Sequence, residues 1–122
     1  MLKFFFTAFA FALLVMMPAA HATQTAYFSA MDDLPVMQGM VEQPADTVIF
    51  DKPAGRIVEF SARTAEQPRA VLAFYGSALP PLGWKPVKKG VFVRAHEKLK
   101  MDFAAAAGET LVRFTLTPDG KG

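Results

Sequence analysis

The chain has no cysteine among its 122 residues, which removes disulfide bonds, thiolate metal sites, a cysteine nucleophile and lipid attachment through sulfur. Its stability has to come from core burial. Histidine is scarce, with only His21 and His96, so acid–base chemistry near neutral pH has few carriers. The longest apolar run, residues 4–17, is 14 residues long and is interrupted only by Thr7, against the roughly 20 needed for a membrane-spanning helix. Lysine and arginine are missing from residues 23–51, where five acids stand: Asp32, Asp33, Glu42, Asp46 and Asp51.

What is present begins with Lys3, then that apolar run, then Pro18-Ala19-Ala20-His21-Ala22. A positive end, a hydrophobic middle and small residues at the cleavage positions are what a secretion machinery reads, and Ala20-His21-Ala22 places the cut after Ala22. Residues 1–22 are thus expected to be a signal peptide, and the mature chain to reside in the periplasm. Residues 23–122 are 100 in number, enough for one domain and too few for two. The formal charge of +2 hides a lengthwise polarity. Against the acidic first part, residues 85–100 hold Lys85, Lys88, Lys89, Arg94, Lys98 and Lys100 with Glu97 alone. A near-balanced total argues against nucleic acid as a partner.

Residues 23–46 show no sustained period and contain Pro35 and Pro44, which predicts an extended leader, mobile at first and then docked through Leu34, Val36, Met37, Met40 and Val41. Strands are expected at 47–51 and 56–63 around a turn at 52–55. Val71, Phe74, Tyr75, Ala78 and Leu79 then fall at helical spacing, with Thr64 and Gln67 suited to a capping box and Pro68 competing as a first-turn residue. Pro80 and Pro81 stop the helix and should push Leu79 out of helical geometry. Four short strands follow at 84–87, 91–95, 99–104 and 110–117, with connections at 89–90, 96–98 and 107–109, before a flexible tail at 119–122. The order predicts an α+β domain over residues 47–118: a mostly antiparallel β-β-α-β-β-β-β sheet with one helix packed on one face. Alternation is expected to turn Val91, Val93, Leu99, Met101, Phe103, Val112, Phe114 and Leu116 toward the helix, and Arg94, Lys98, Lys100, Asp102 and Arg113 away from it.

Candidate chemistry is thin. His96, beside Glu97 in a hairpin connection, lacks a nucleophile-elbow serine, since Ser29, Ser61 and Ser77 have no flanking glycines of that kind. Met31, Met37 and Met40 offer thioethers, soft ligands that suit copper(I), at a loose spacing that packing of the leader explains equally. Phe74, Tyr75 and Trp84 could line an aromatic slot or simply close the core. The basic set Arg94, Lys98, Lys100 and Arg113, with Trp84, is the candidate for binding an anionic envelope component or another envelope protein.

Leu34-Pro35-Val36-Met37-Gln38-Gly39-Met40, residues 71–75, Leu79-Pro80, Leu82-Gly83-Trp84, and Phe92 with Arg94 and Glu97 together resemble a group of small exported bacterial proteins of unknown function. In that group a Pro-x-x-x-Gly leader precedes a helix containing Phe-Tyr and ending near Gly-Trp. The resemblance implies a fold and an exported location and transfers no site. The expectation is therefore a soluble, non-enzymatic periplasmic binding or accessory module without a cofactor, with methionine-based copper(I) handling and then a small envelope enzyme as alternatives.

Overall fold

Alternating apolar residues in six segments and a single stretch of helical period produce six strands and one helix in the computed structural model, which describes residues 25–119 together with Ala12 and Val15. The segment expected to be a signal peptide, the cut after Ala22 and the tail beyond Asp119 lie outside the described residues. The strands are β1 (Val41–Lys52), β2 (Gly55–Thr64), β3 (Lys85–Lys88), β4 (Val91–Arg94), β5 (Glu97–Ala106) and β6 (Glu109–Pro118), with helix α1 (Pro68–Ala78) between β2 and β3. They form one antiparallel sheet in the order β1-β2-β6-β5-β4-β3. The α1 connection carries the chain from β2 to the far edge, and a meander then brings β6 back beside β2.

Hairpins set the register. Each of the four closes on a two-residue turn, with Lys52 opposite Gly55, Lys88 opposite Val91, Arg94 opposite Glu97 and Ala106 opposite Glu109. Two-residue turns call for left-handed backbone, and the chain supplies it at Ala95 (φ 51°), at Ala107 (φ 52°) with Gly108 (φ 79°), and at Gly90 (φ 74°). The turn at Ala95-His96 changes one expectation. A connection over 96–98 would put Val91 and Val93 on the face of Leu99 and Met101. The shorter turn instead opposes Phe92 to Leu99 and Val93 to Lys98, so Phe92 enters the core and Val91 and Val93 stand on the other face.

The core gathers on one side of the sheet. Phe60 and Phe114 are register partners on β2 and β6, stacked at 5.0 Å with 11° between their planes. Phe28, from the leader, lies 5.1 Å from Phe60 and 5.0 Å from Phe114, and Tyr75 of α1 meets Phe114 edge-on at 5.5 Å. Around this group pack Leu34, Val71, Leu79, Trp84, Leu99, Met101 and Val112, all buried. The leader is therefore built into the core. It is held by backbone bonds from Phe28 N–H to the Leu34 carbonyl (3.1 Å) and from Val36 N–H to the Ala26 carbonyl (2.7 Å), and by Ser29, whose N–H and hydroxyl both donate to the Glu42 carboxylate at 2.9 and 3.0 Å. Strand pairing also starts earlier than expected, at Val41 opposite Arg63. The register breaks between Gln43 and Val48, where Pro44, lacking an N–H, cannot join a regular ladder.

Helix α1 stops before Pro80 as expected, while its N-terminal cap and the angles of Leu79 depart from the sequence reading. The helix begins at Pro68 with Gln67 as an N-cap that makes no side-chain cap bond. Thr64 instead accepts the Glu66 N–H at 3.1 Å, so the capping box does not form; the fixed φ of Pro68 starts the helix in its place. Leu79 keeps helical angles (φ −79°, ψ −39°) and donates to the Tyr75 carbonyl. The chain then tightens into a 3₁₀ turn at Pro80–Leu82, which accommodates the prolines without a further α-helical N–H, and Gly83 ends it at φ 94°.

Candidate functional site

The register sorts the basic residues onto two faces. Lys98, Lys100 and Asp102 alternate along β5, and Arg113 stands opposite Asp102 on β6. Leu99, Met101 and Phe114, their neighbours of opposite parity, belong to the core, so Lys98, Lys100 and Arg113 share the outer face. All three are exposed. Lys100 Nζ lies 3.7 Å from the Asp102 carboxylate, while Lys98 and Arg113 make no ion pair among the described residues. The sequence reading missed further bases here, Lys88 (opposite Val91) and Lys52 (alternating with Phe50) among them. Arg63 lies opposite Leu111 on β2 and Lys85 opposite Val93 on β3, and only pairing places them with the others. Between the bases the face is apolar at Val48, Phe50, Ile57, Val93 and Leu111, with Glu59 as a second acid.

Arg94 is not with them. It alternates with Val93 and so points to the core side, where its guanidinium lies 4.3 Å from the Trp84 ring, pairs with the Asp33 carboxylate at 2.7 Å and donates to the Leu82 carbonyl at 3.2 Å. The aromatic face, the carboxylate and the carbonyl hold this partly exposed cation, so it clasps the leader to the turn after α1. Trp84 beneath it is 1% exposed, which takes it out of reach of a partner, and its indole N–H has no acceptor among the described residues. Its backbone N–H closes on the Leu79 carbonyl at 3.2 Å, so the ring plugs the end of the helix. The Asp33 partner was invisible in the sequence because 61 positions separate it from Arg94.

The methionines do not form an exposed group. Met31 and Met40 are buried in the core, and Met37 packs partly exposed against it. The Met40 sulfur accepts a weak contact from the Tyr75 hydroxyl at 3.7 Å, while the same hydroxyl donates to the Pro35 carbonyl at 2.8 Å. Burial pushes the Tyr75 phenol well above its ordinary range, offset in part by a bond with the Met37 backbone. Met37 and Met40 with Gln38, Val36 and Phe74 line a recess of about 320 Å³ between the leader and α1. A wider, open cleft of about 500 Å³ at the end of the sheet is bordered by Arg56, His96, Glu97 and Asp119. His96 is exposed there, its imidazole has no hydrogen-bond partner among the described residues, and no serine, threonine or tyrosine lines the cleft to act as nucleophile. Among the described residues no group of three histidine, aspartate or glutamate side chains could hold a metal ion, and no helix is long and apolar enough to cross a membrane.

No family model, curated protein or solved structure matches this chain.

Proposed function

We propose that the protein is a non-enzymatic binding module of the bacterial envelope that engages an acidic surface of another envelope protein through the outer face of its sheet. Leader and helix α1 lie together across the inner face in this reading, which leaves the outer face for recognition. The observation that carries it is the gathering of Lys98, Lys100 and Arg113 on that face, two of them without a carboxylate partner among the described residues. Unpaired cations on a flat surface interleaved with Val93, Ile57 and Leu111 attract an acidic partner over roughly a Debye length, about 8 Å at physiological salt, and then offer it apolar contact. The N-terminal 22 residues, read as an export signal, support a periplasmic partner.

Lys98→Glu with Lys100→Glu tests this reading. In-cell crosslinking followed by mass spectrometry of the captured species is expected to lose its salt-sensitive partner in the double variant. Stability should stay within about 0.5 kcal/mol, as for other exposed substitutions. An unchanged crosslinking pattern would remove the proposal. Equal loss of binding to vesicles of anionic lipid, with no protein captured, would move the partner from protein to membrane surface.

A further inference from the structure

The bases of the outer face are not spread evenly. Lys85 of β3 stands opposite Val93 of β4, which in turn stands opposite Lys98 of β5. One step along the strands, Lys88 stands opposite Val91 and Val91 opposite Lys100, with Val87 taken up as the extra residue of a bulge. Each valine of β4 is thus flanked by a lysine on either side. All four lysines are exposed, Val93 is partly exposed and Val91 is buried between Lys88 and Lys100. The acids of this face lie beyond the group, Asp102 opposite Arg113 and Glu59 opposite Thr115, and of the four lysines Lys100 alone reaches one, 3.7 Å from Asp102. Lysine on an edge strand keeps other strands away, which accounts for Lys85 and Lys88. It does not account for Lys98 and Lys100, because β5 is paired on both sides.

We infer that β4 is the floor of a groove that takes an acidic amphipathic helix of the partner protein, laid along the strand. The inference rests on the reading of the outer face as a surface for an acidic protein and specifies which kind of segment it holds. Neighbouring strands lie about 5 Å apart and alternate residues of one strand about 7 Å. The two lysine rows therefore stand about 10 Å from each other across β4. A helix is about 10 Å across and rises about 6 Å over four residues. It fits between the rows with apolar residues at i and i+4 over Val93 and Val91 and carboxylates on both sides of that stripe, as charged positions flank the seam of a coiled coil. An extended peptide in the same place sets unpaired N–H and C=O groups against the valines, whereas a helix satisfies its own. A phosphate group meets the lysines and leaves the valines unused.

Two designed peptides of about 14 residues, roughly four helical turns, give the test: one with leucine on a single stripe and glutamate on both its sides, the other a scramble of the same composition without the stripe. The striped peptide should bind the full chain in fluorescence anisotropy, lose affinity as salt rises and gain helical circular dichroism on binding. Lys98→Glu with Lys100→Glu, and Lys85→Glu with Lys88→Glu, should each weaken it about ten-fold or more, because each sets like charges against one row of glutamates. Arg69→Glu on α1, a reversal away from this face, should change binding by less than about two-fold. Melting temperatures of all three variants should stay near that of the unchanged chain, since the substituted positions are exposed. Equal binding of the scramble, or loss in only one of the two double variants, would overturn the groove. If in-cell capture of the partner were still lost with Lys98→Glu and Lys100→Glu in that case, the outer face would stand as a binding surface without it. No effect of either double variant on peptide binding or on capture would remove both readings, and binding of anionic vesicles in place of the striped peptide would overturn the helix.

Discussion

At the scale of single residues, Tyr75 does the most with one polar atom. Its ring is buried against Phe114 while its hydroxyl reaches the Pro35 carbonyl, tying α1 to the leader. Burial favours the neutral phenol, so the folded state raises the pKa and holds the proton more tightly than the unfolded chain does. That contribution is complete below the unfolded value of about 10 and is lost as pH climbs above it. Denaturant titrations across alkaline pH should therefore show stability falling above roughly pH 10, and Tyr75→Phe should flatten this limb. At neutral pH the same substitution should cost about 1 to 2 kcal/mol, since it leaves a buried carbonyl without its donor. Arg94 shows the limit of reading residues from sequence. Its charge suggested an outward-facing binder, and one residue of register turned it into an internal clasp.

At the scale of elements, the turns govern. Ala107 sits at φ 52° before Gly108 at φ 79°, a pair of left-handed positions that favours Asn-Gly over Ala-Gly. Ala107→Asn should relieve about 1 kcal/mol of backbone strain and raise the melting temperature by several degrees, as scanning calorimetry would show. The strands themselves were legible because alternation is a strong signal, and all six segments appear in the expected order. The helix was legible from Val71, Tyr75 and Leu79, each fully buried. Its stop before Pro80 was legible too, but its cap and the angles of Leu79 were not, because a proline at the first position competes with a capping box and two prolines in a row can be absorbed by a 3₁₀ turn. The face of β4 was missed for a related reason. A two-residue and a three-residue connection differ only in whether Ala95 accepts left-handed angles, a choice that no side chain there announces.

For the whole molecule, the leader decides more than its composition suggested. The sequence, irregular in period over residues 25–40, suggested docking through Leu34 and Met40 but a mobile first part, yet Phe28 and Met31 are buried in the core beside them. Period analysis could not find the docking of Phe28 and Met31, since each residue docks singly from an irregular path. Phe28→Ala should cost about 3 to 5 kcal/mol, the usual range for a deleted buried aromatic and a large share of the 5 to 15 kcal/mol typical of a domain. Chemical denaturation would measure it, and a loss under about 1 kcal/mol would mean that the leader rests on the core without completing it. The bases of the outer face were legible as a cluster; their separation from Arg94 and their company of Arg63 and Lys85 needed the pairing.

The position of β6 adds a constraint in time. Last of the six strands among the described residues, it stands between β2 and β5 near the middle of the sheet, and its Phe114 is the ring on which Phe28, Phe60 and Tyr75 converge. A chain emerging from its N-terminus can form the β1–β2 hairpin, the Phe28–Phe60 contact and the first turns of helix, but β2 has no partner on its other side until residue 114 arrives. Completion of the sheet waits for β6, and a chain stopped short of it is left with one side of β2 unpaired.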